Sequence, residues 1–191
     1  MGTKFLILFL NFALKQISLL CLILFTSPAF SQEAVPPRLS PLGMVTAHYK
    51  DTYLKITYGQ PHKRGRVVFG NLVPFGQVWR TGANEATEIT MTRDIIISGL
   101  DLKAGTYSLF TIPVADHWTI LINSDVGLWG AYNYNPKMDV LKFDVAVESL
   151  ADVVYEPFTL WIDQKNEKAD LLMAWDKTRV KIPIQFLEPK P

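Results

Sequence analysis

"LKFDVAV", residues 141–147, and "VKIPIQF", residues 180–186, share one pattern. Leu141, Phe143, Val145 and Val147 alternate with Lys142, Asp144 and Ala146, while Val180, Ile182, Ile184 and Phe186 alternate with Lys181, Pro183 and Gln185. Successive side chains of an extended chain point to opposite sides, so apolar groups two residues apart share a face. The pattern predicts strands with one buried face. Similar short runs cover 44–50, 53–59, 86–92, 94–98, 105–112, 117–123, 156–163 and 168–175, and no window carries an amphipathic helix longer than two turns. Many strands without interleaved helices predict an all-β fold, an antiparallel two-sheet β-sandwich of jelly-roll-like or Ig-like type. In "GLDLKAGTYSLF", residues 99–110, Tyr107 follows a Gly-Thr step. It reads either as a tyrosine corner or as a core tyrosine beyond a plain turn.

The beginning of the chain has a different character. Residues 1–16 carry only Lys4 and Lys15 as charges, and "ISLLCLILF" (17–25) is an apolar run of secretory length. Ser27-Pro28 breaks it, and the small residues of "AFS" follow. This order predicts a signal peptide over 1–31, cut after Ser31, and hence export to the periplasm or beyond. The alternative is an uncleaved membrane anchor, because the n-region is itself apolar. Residues 32–43, "QEAVPPRLSPLG", read as a Pro-rich linker, and 44–191 as a single domain.

Cleavage would remove two of the 19 basic groups and none of the 18 acidic ones, leaving 17 against 18. A near-neutral domain has no field to gather nucleic acid or an anionic membrane, so neither is expected as a partner. The one cysteine, Cys21, leaves with the signal, so the mature domain has no disulfide and no thiol nucleophile.

Three polar segments are candidates for chemistry. In "WRTGANEAT" (79–87), strand parity puts Glu85 on the face of Thr87, Ile89 and Met91, where a carboxylate needs a cation. Arg80 or Arg66 is the expected partner, across a turn in which Gly82 and Asn84 tolerate positive φ. The alternative is a plain Arg80–Glu85 bridge closing a loop. In "YGQPHKRGRVVFG" (58–70), His62, Lys63, Arg64 and Arg66 form either a cationic rim or a solvated charge run. In "GLWGAYNYNPK" (127–137), Trp129, Tyr132 and Tyr134 among asparagines suit stacking on a sugar face, or packing on their own sheet. No nucleophile elbow, zinc-protease helix, phosphate loop or dinucleotide fingerprint is present. His48, His62 and His117 lack ligand spacing, so neither a metal nor a cofactor is expected.

The long run "YGQPHKRGRVVFGNLVPFGQVWRTGANEATEIT" (58–90), with "LKAGTYSLFTIP", "WTILIN" and "AWDKTRVKIPI", closely resembles the secreted family known as domain of unknown function twenty-nine eleven. The likeness runs from about Ser40 to Phe186. It implies secretion and a sandwich-like domain, and no reaction. Where the family pattern has Arg, this chain has Lys142, which cannot make the same forked contact.

The expected function is binding of a small-molecule or glycan ligand by Arg66, Arg80, Asn84 and Glu85, with His62 on the rim and Trp79 or Trp129 as a stacking wall. One rival is a polysaccharide lyase-like enzyme using His62 or His117 with Tyr58, Arg80 and Asn84. A glycosidase-like enzyme would need a second carboxylate facing Glu85. The last rival is a structural module of the cell envelope.

Overall fold

The computed structural model describes residues 35–188 together with Gly2, Ile7, Leu10, Lys15 and Gln16. Apart from these five residues, the expected signal peptide and its cut after Ser31 lie outside the described residues. Pro37–Pro191 forms a compact unit of its own.

Eleven strands follow in chain order: β1 (Leu42–Tyr49), β2 (Thr52–Gly59), β3 (Thr87–Met91), β4 (Ile95–Ile97), β5 (Leu100–Leu102), β6 (Gly105–Pro113), β7 (His117–Asn123), β8 (Asp139–Ser149), β9 (Tyr155–Lys165), β10 (Lys168–Asp176) and β11 (Thr178–Phe186). Ten of them fall where alternation places them. β5 is the addition, a three-residue strand paired only with β4 across Ser98 and Gly99, both at positive φ. A Ser-Gly pair between apolar runs is a two-residue hairpin signal.

All pairings between these strands are antiparallel, and the hydrogen-bonded path runs β1-β2-β3-β6-β7-β8-β11-β10-β9. The expected division into two separate sheets is replaced by continuity through β8. Asp139–Ala146 of this strand pairs with β7, while Val147–Ser149 pairs with β11. The two ends of the path then come together. Phe158 N–H donates to the Pro61 carbonyl at 2.8 Å, Lys63 N–H to that of Glu156 at 2.9 Å, and the Gln164 side chain to that of His48 at 3.0 Å. The sheet is curled nearly into a barrel. The right-handed twist of strands brings a long antiparallel sheet round in this way, and closure shields its edges.

Alternation explains the core. Leu54, Ile56 and Tyr58 of β2, Ile89 and Met91 of β3, Trp118, Ile120 and Ile122 of β7, Leu171, Met173 and Trp175 of β10, and Val180, Ile182, Ile184 and Phe186 of β11 are all buried. On β11 the residues between them, Lys181, Pro183 and Gln185, face out. At one end the core is aromatic. Trp79 stacks on Trp175 with centroids 5.9 Å apart, and Phe69 and Trp118 meet Trp79 close to edge-on. Tyr107 Oη donates to the Lys103 carbonyl, four residues upstream, at 3.1 Å. That is the bond of a tyrosine corner.

On the outer side, Ala86, Phe110 and Leu121 form a smaller cluster capped by Leu128, Ala131 and Tyr134. Residues 126–138, between β7 and β8, thus serve as a lid over the sheet and put the segment "GLWGAYNYNPK" beside "WRTGANEAT".

Candidate functional site

The connection from β2 to β3, residues 60–86, crosses the aromatic end of the barrel. Two glycines let it lie close to β2. A Cβ on Gly82 would stand 2.8 Å from the Gly59 carbonyl oxygen, and one on Gly59 only 1.9 Å from that of Ala83. Positive φ falls on Thr81 and on Asn84, as expected for Asn84, while Gly82 is used for its missing side chain. Thr81 tolerates the conformation because its surroundings over-determine it. Its carbonyl accepts from the Thr87 hydroxyl at 2.6 Å, and its own hydroxyl is 3.2 Å from that of Thr111.

This crossing leaves a cleft of about 480 Å³ whose lining includes Arg66, Trp79, Arg80 and Asn84, with Ser40 and Gln77 as further polar residues. Four residues singled out in the sequence therefore meet in one concavity. Trp79 is not the free stacking wall expected of it: it is buried in the aromatic core, its Nε1–H donates to the Gly82 carbonyl at 3.0 Å, and with Trp175 it belongs to the cleft's lining. Arg66 is exposed, and its guanidinium donates to the carbonyls of His62 and Lys63 at 2.7 and 2.9 Å.

Arg80 differs from every other cation near the cleft. Among the described residues its guanidinium has no hydrogen-bond or ion-pair partner, and its Nε–H is fully buried. The other buried side-chain polar atoms without a partner are Thr52 Oγ1 and Trp118 Nε1, which are neutral and do not line this cleft. A buried donor left unsatisfied costs about 1–3 kcal/mol, and more when charged.

The expected contact of Arg80 or Arg66 with Glu85 is absent. Glu85 pairs instead with Arg38, at 2.9 Å, and its side chain is 41% exposed. The parity reading holds for Thr87, Ile89 and Met91, which are buried. Glu85 lies two residues before that strand, in an isolated bridge to Trp129, and there its side chain swings toward the lead-in. A hydrogen bond from its own backbone N–H, with help from Arg38, holds its carboxyl below the usual 4.5. The lead-in is tied down elsewhere too: Asn84 donates to the Ser40 carbonyl and Arg64 to that of Leu39. Leu39 and Ser40 thus line the cleft, and Arg38 lines the depression beside it.

The other candidates divide residue by residue. Lys63 pairs with Asp176 at 2.5 Å, and His62 joins Pro157 in a backbone bridge, so most of the basic loop fastens β9 and β10 to the crossing. In the 126–138 lid, Tyr134 packs on Phe110 and donates to Asp139 at 2.5 Å, with burial pushing its phenol pKa up. Asn135 caps the 3₁₀ turn Pro136–Met138. Trp129 and Tyr132 remain 60% and 84% exposed. The lid is pinned to the cleft rim by Gly130 N–H to the Asn84 carbonyl and Ala86 N–H to the Leu128 carbonyl, at 2.9 and 2.8 Å.

The comparisons with known proteins bear on identity at this point. The family model described as "Protein of unknown function (DUF2911)" matches residues 40–184. The chain belongs to this family. No curated protein and no solved structure matches it. The region matched by the DUF2911 model contains Arg66, Trp79, Arg80, Asn84, Glu85 and Trp129, and leaves out Arg38. Lys142, where the family pattern led us to expect Arg, is exposed on β8 and does not line the cleft.

The catalytic sets considered for this DUF2911 member do not assemble. Tyr58 is buried, and its hydroxyl accepts from Leu160 N–H. His117 pairs with Asp116 at the start of β7, and neither histidine lines the cleft. Glu85 and Glu88 do share a neighbouring depression, the second carboxylate that sequence could not pick. Glu88 accepts from Gly127 N–H at 2.7 Å, and the lowered pKa of Glu85 is opposite to what a general acid needs.

Proposed function

We propose that this protein is an exported binding domain and that the cleft at Arg80 takes a small polar or saccharide ligand. One observation carries the reading: a guanidinium with no partner among the described residues lines a cleft that also presents Arg66, Asn84, Ser40 and Gln77. Fork-shaped donors and amides that converge in a concavity recognise oxygen-rich ligands. Among the described residues, those that line the cleft include no His, Tyr, Asp or Glu, so the lining offers recognition without an acid or base to drive a reaction. Export rests on the apolar run at 17–25 and the small residues that follow it.

A thermal-shift screen of the purified protein against glycans and organic acids tests the binding reading, since a ligand that binds only the native state raises apparent stability. Arg80→Gln should abolish any shift found. N-terminal sequencing of the exported protein tests the other half, with Gln32 expected as the first residue.

A further inference from the structure

We propose that the ligand is an acidic saccharide, a sugar bearing a carboxylate or sulfate group, held by Arg80 through its charge and by Trp129 and Tyr132 through a ring face. The proposal rests on the binding reading above and narrows it to a chemical class. Three observations on the same few residues support it.

The first is charge. The Arg80 guanidinium has no partner among the described residues, Arg66 is the other charged residue lining the cleft, and no carboxylate lines it. In a chain with near-equal numbers of acidic and basic groups, this cleft is locally cationic. A neutral sugar would leave the Arg80 charge as unmatched as it is now. A planar anion accepts two parallel N–H bonds from a guanidinium, the strongest neutralisation available to it.

The second is the position of the rings. Gly130 has φ +70°, and a Cβ placed on it would stand 3.5 Å from Arg80 Nη1 and 2.8 Å from the Tyr132 ring. The Arg80 guanidinium and the Tyr132 ring therefore flank one glycine, and Trp129 precedes it in the chain. Large aromatic side chains left this exposed are unusual when the same lid buries Tyr134. An aromatic face packs on the C–H face of a pyranose, which a simple organic acid lacks.

The third is spacing. The Gly130 to Asn84 backbone bond and the Glu85–Trp129 bridge hold the lid backbone against the cleft rim, so Trp129 and Tyr132 stand beside the cleft without lining it. A cleft of about 480 Å³ lies within the range of small-ligand sites and suits one or two sugar units.

The test is titration calorimetry on the full chain with an oligogalacturonate, a sulfated oligosaccharide, the matched neutral oligosaccharide, and acetate or succinate. We expect an acidic oligosaccharide to bind about tenfold or more tightly than the neutral one, as one charge-assisted pair implies. Arg80→Gln should erase the preference, and Tyr132→Ala, an exposed change that leaves the fold intact, should weaken binding several-fold. Carboxylate and sulfate arms show which anion is preferred. Equal binding of neutral and acidic sugars, or a preference that survives Arg80→Gln, overturns the acidic class and leaves the binding reading standing. Simple acids that bind as well as the oligosaccharide overturn the role of the rings. If nothing in the set binds, and the wider screen also finds no ligand, the binding reading falls and this inference with it.

Discussion

The backbones of Gly59 and Ala83 are in direct contact: Ala83 N–H donates to the Gly59 carbonyl at 3.1 Å, and a Cβ on Gly59 would stand 1.9 Å from the Ala83 carbonyl oxygen. This contact presses the cleft-bearing crossing onto the end of β2. Gly59→Ala must therefore displace backbone rather than a flexible side chain. We expect a loss at or above the upper end of the ~1–3 kcal/mol typical of overpacking. Urea unfolding of the variant measures it, and an unchanged midpoint would show that the crossing is free to move away.

The ion pairs offer a graded comparison. Lys63 and Asp176 are the most enclosed pair, with side chains 19% and 28% exposed, whereas Lys103 beside Asp94 is 80% exposed. Desolvated pairs lose more when one partner is removed, because the other charge is stranded. Lys63→Ala should cost about 1–2 kcal/mol and Lys103→Ala under about 0.5 kcal/mol. Equal losses by chemical denaturation would mean that the basic loop does not fasten β9 and β10 to the crossing.

Much of this architecture was legible in the sequence because it has a local cause. Val180 to Phe186 can bury one face only as a strand, and the parity of Thr87, Ile89 and Met91 follows once β3 is placed. Continuity through β8 was not legible, since nothing in "LKFDVAV" marks that Val147 leaves β7 for β11. Arg38 was missed for a related reason. It lies 47 residues from Glu85 in a Pro-rich stretch without periodicity, and only the tertiary fold brings them together. Arg80, nearer in sequence, was paired with Glu85 on proximity alone. Trp79, Arg80 and Asn84 of the cleft cluster in sequence, whereas Ser40 and Gln77 carried no signal there, and the division of the 126–138 lid between Tyr134 and its exposed neighbours was decided by packing on Phe110.

Glu85 sets a pH dependence whose sign follows from its lowered pKa. A carboxyl held below its ordinary 4.5 in the fold stabilises the protein above that value and ceases to do so as pH falls through the lowered one. The pair with Arg38 is well exposed, so the effect is under about 1 kcal/mol. Wild type should exceed Glu85→Gln in unfolding free energy at neutral pH, and the difference should shrink as pH falls below 4.5 through the lowered value. A difference that grows on acidification would mean that the carboxyl is raised instead of lowered.

Arg80 distinguishes a site from a turn. If its guanidinium bridged a buried carboxylate, Arg80→Ala would strand that charge and cost about 3–5 kcal/mol. The structure gives it no carboxylate, and Glu85 is already satisfied by Arg38. Truncation removes a charge together with a dry Nε–H, and the gain from losing an unsatisfied donor offsets the loss of side-chain packing. Arg80→Ala should therefore keep the unfolding free energy within about 1 kcal/mol of wild type. Arg80→Met, which restores the apolar stem without the charge, should match or exceed wild type. A loss of several kcal/mol in both variants would show that Arg80 holds the crossing together, and the cleft would then have to be read as a packing feature without a ligand.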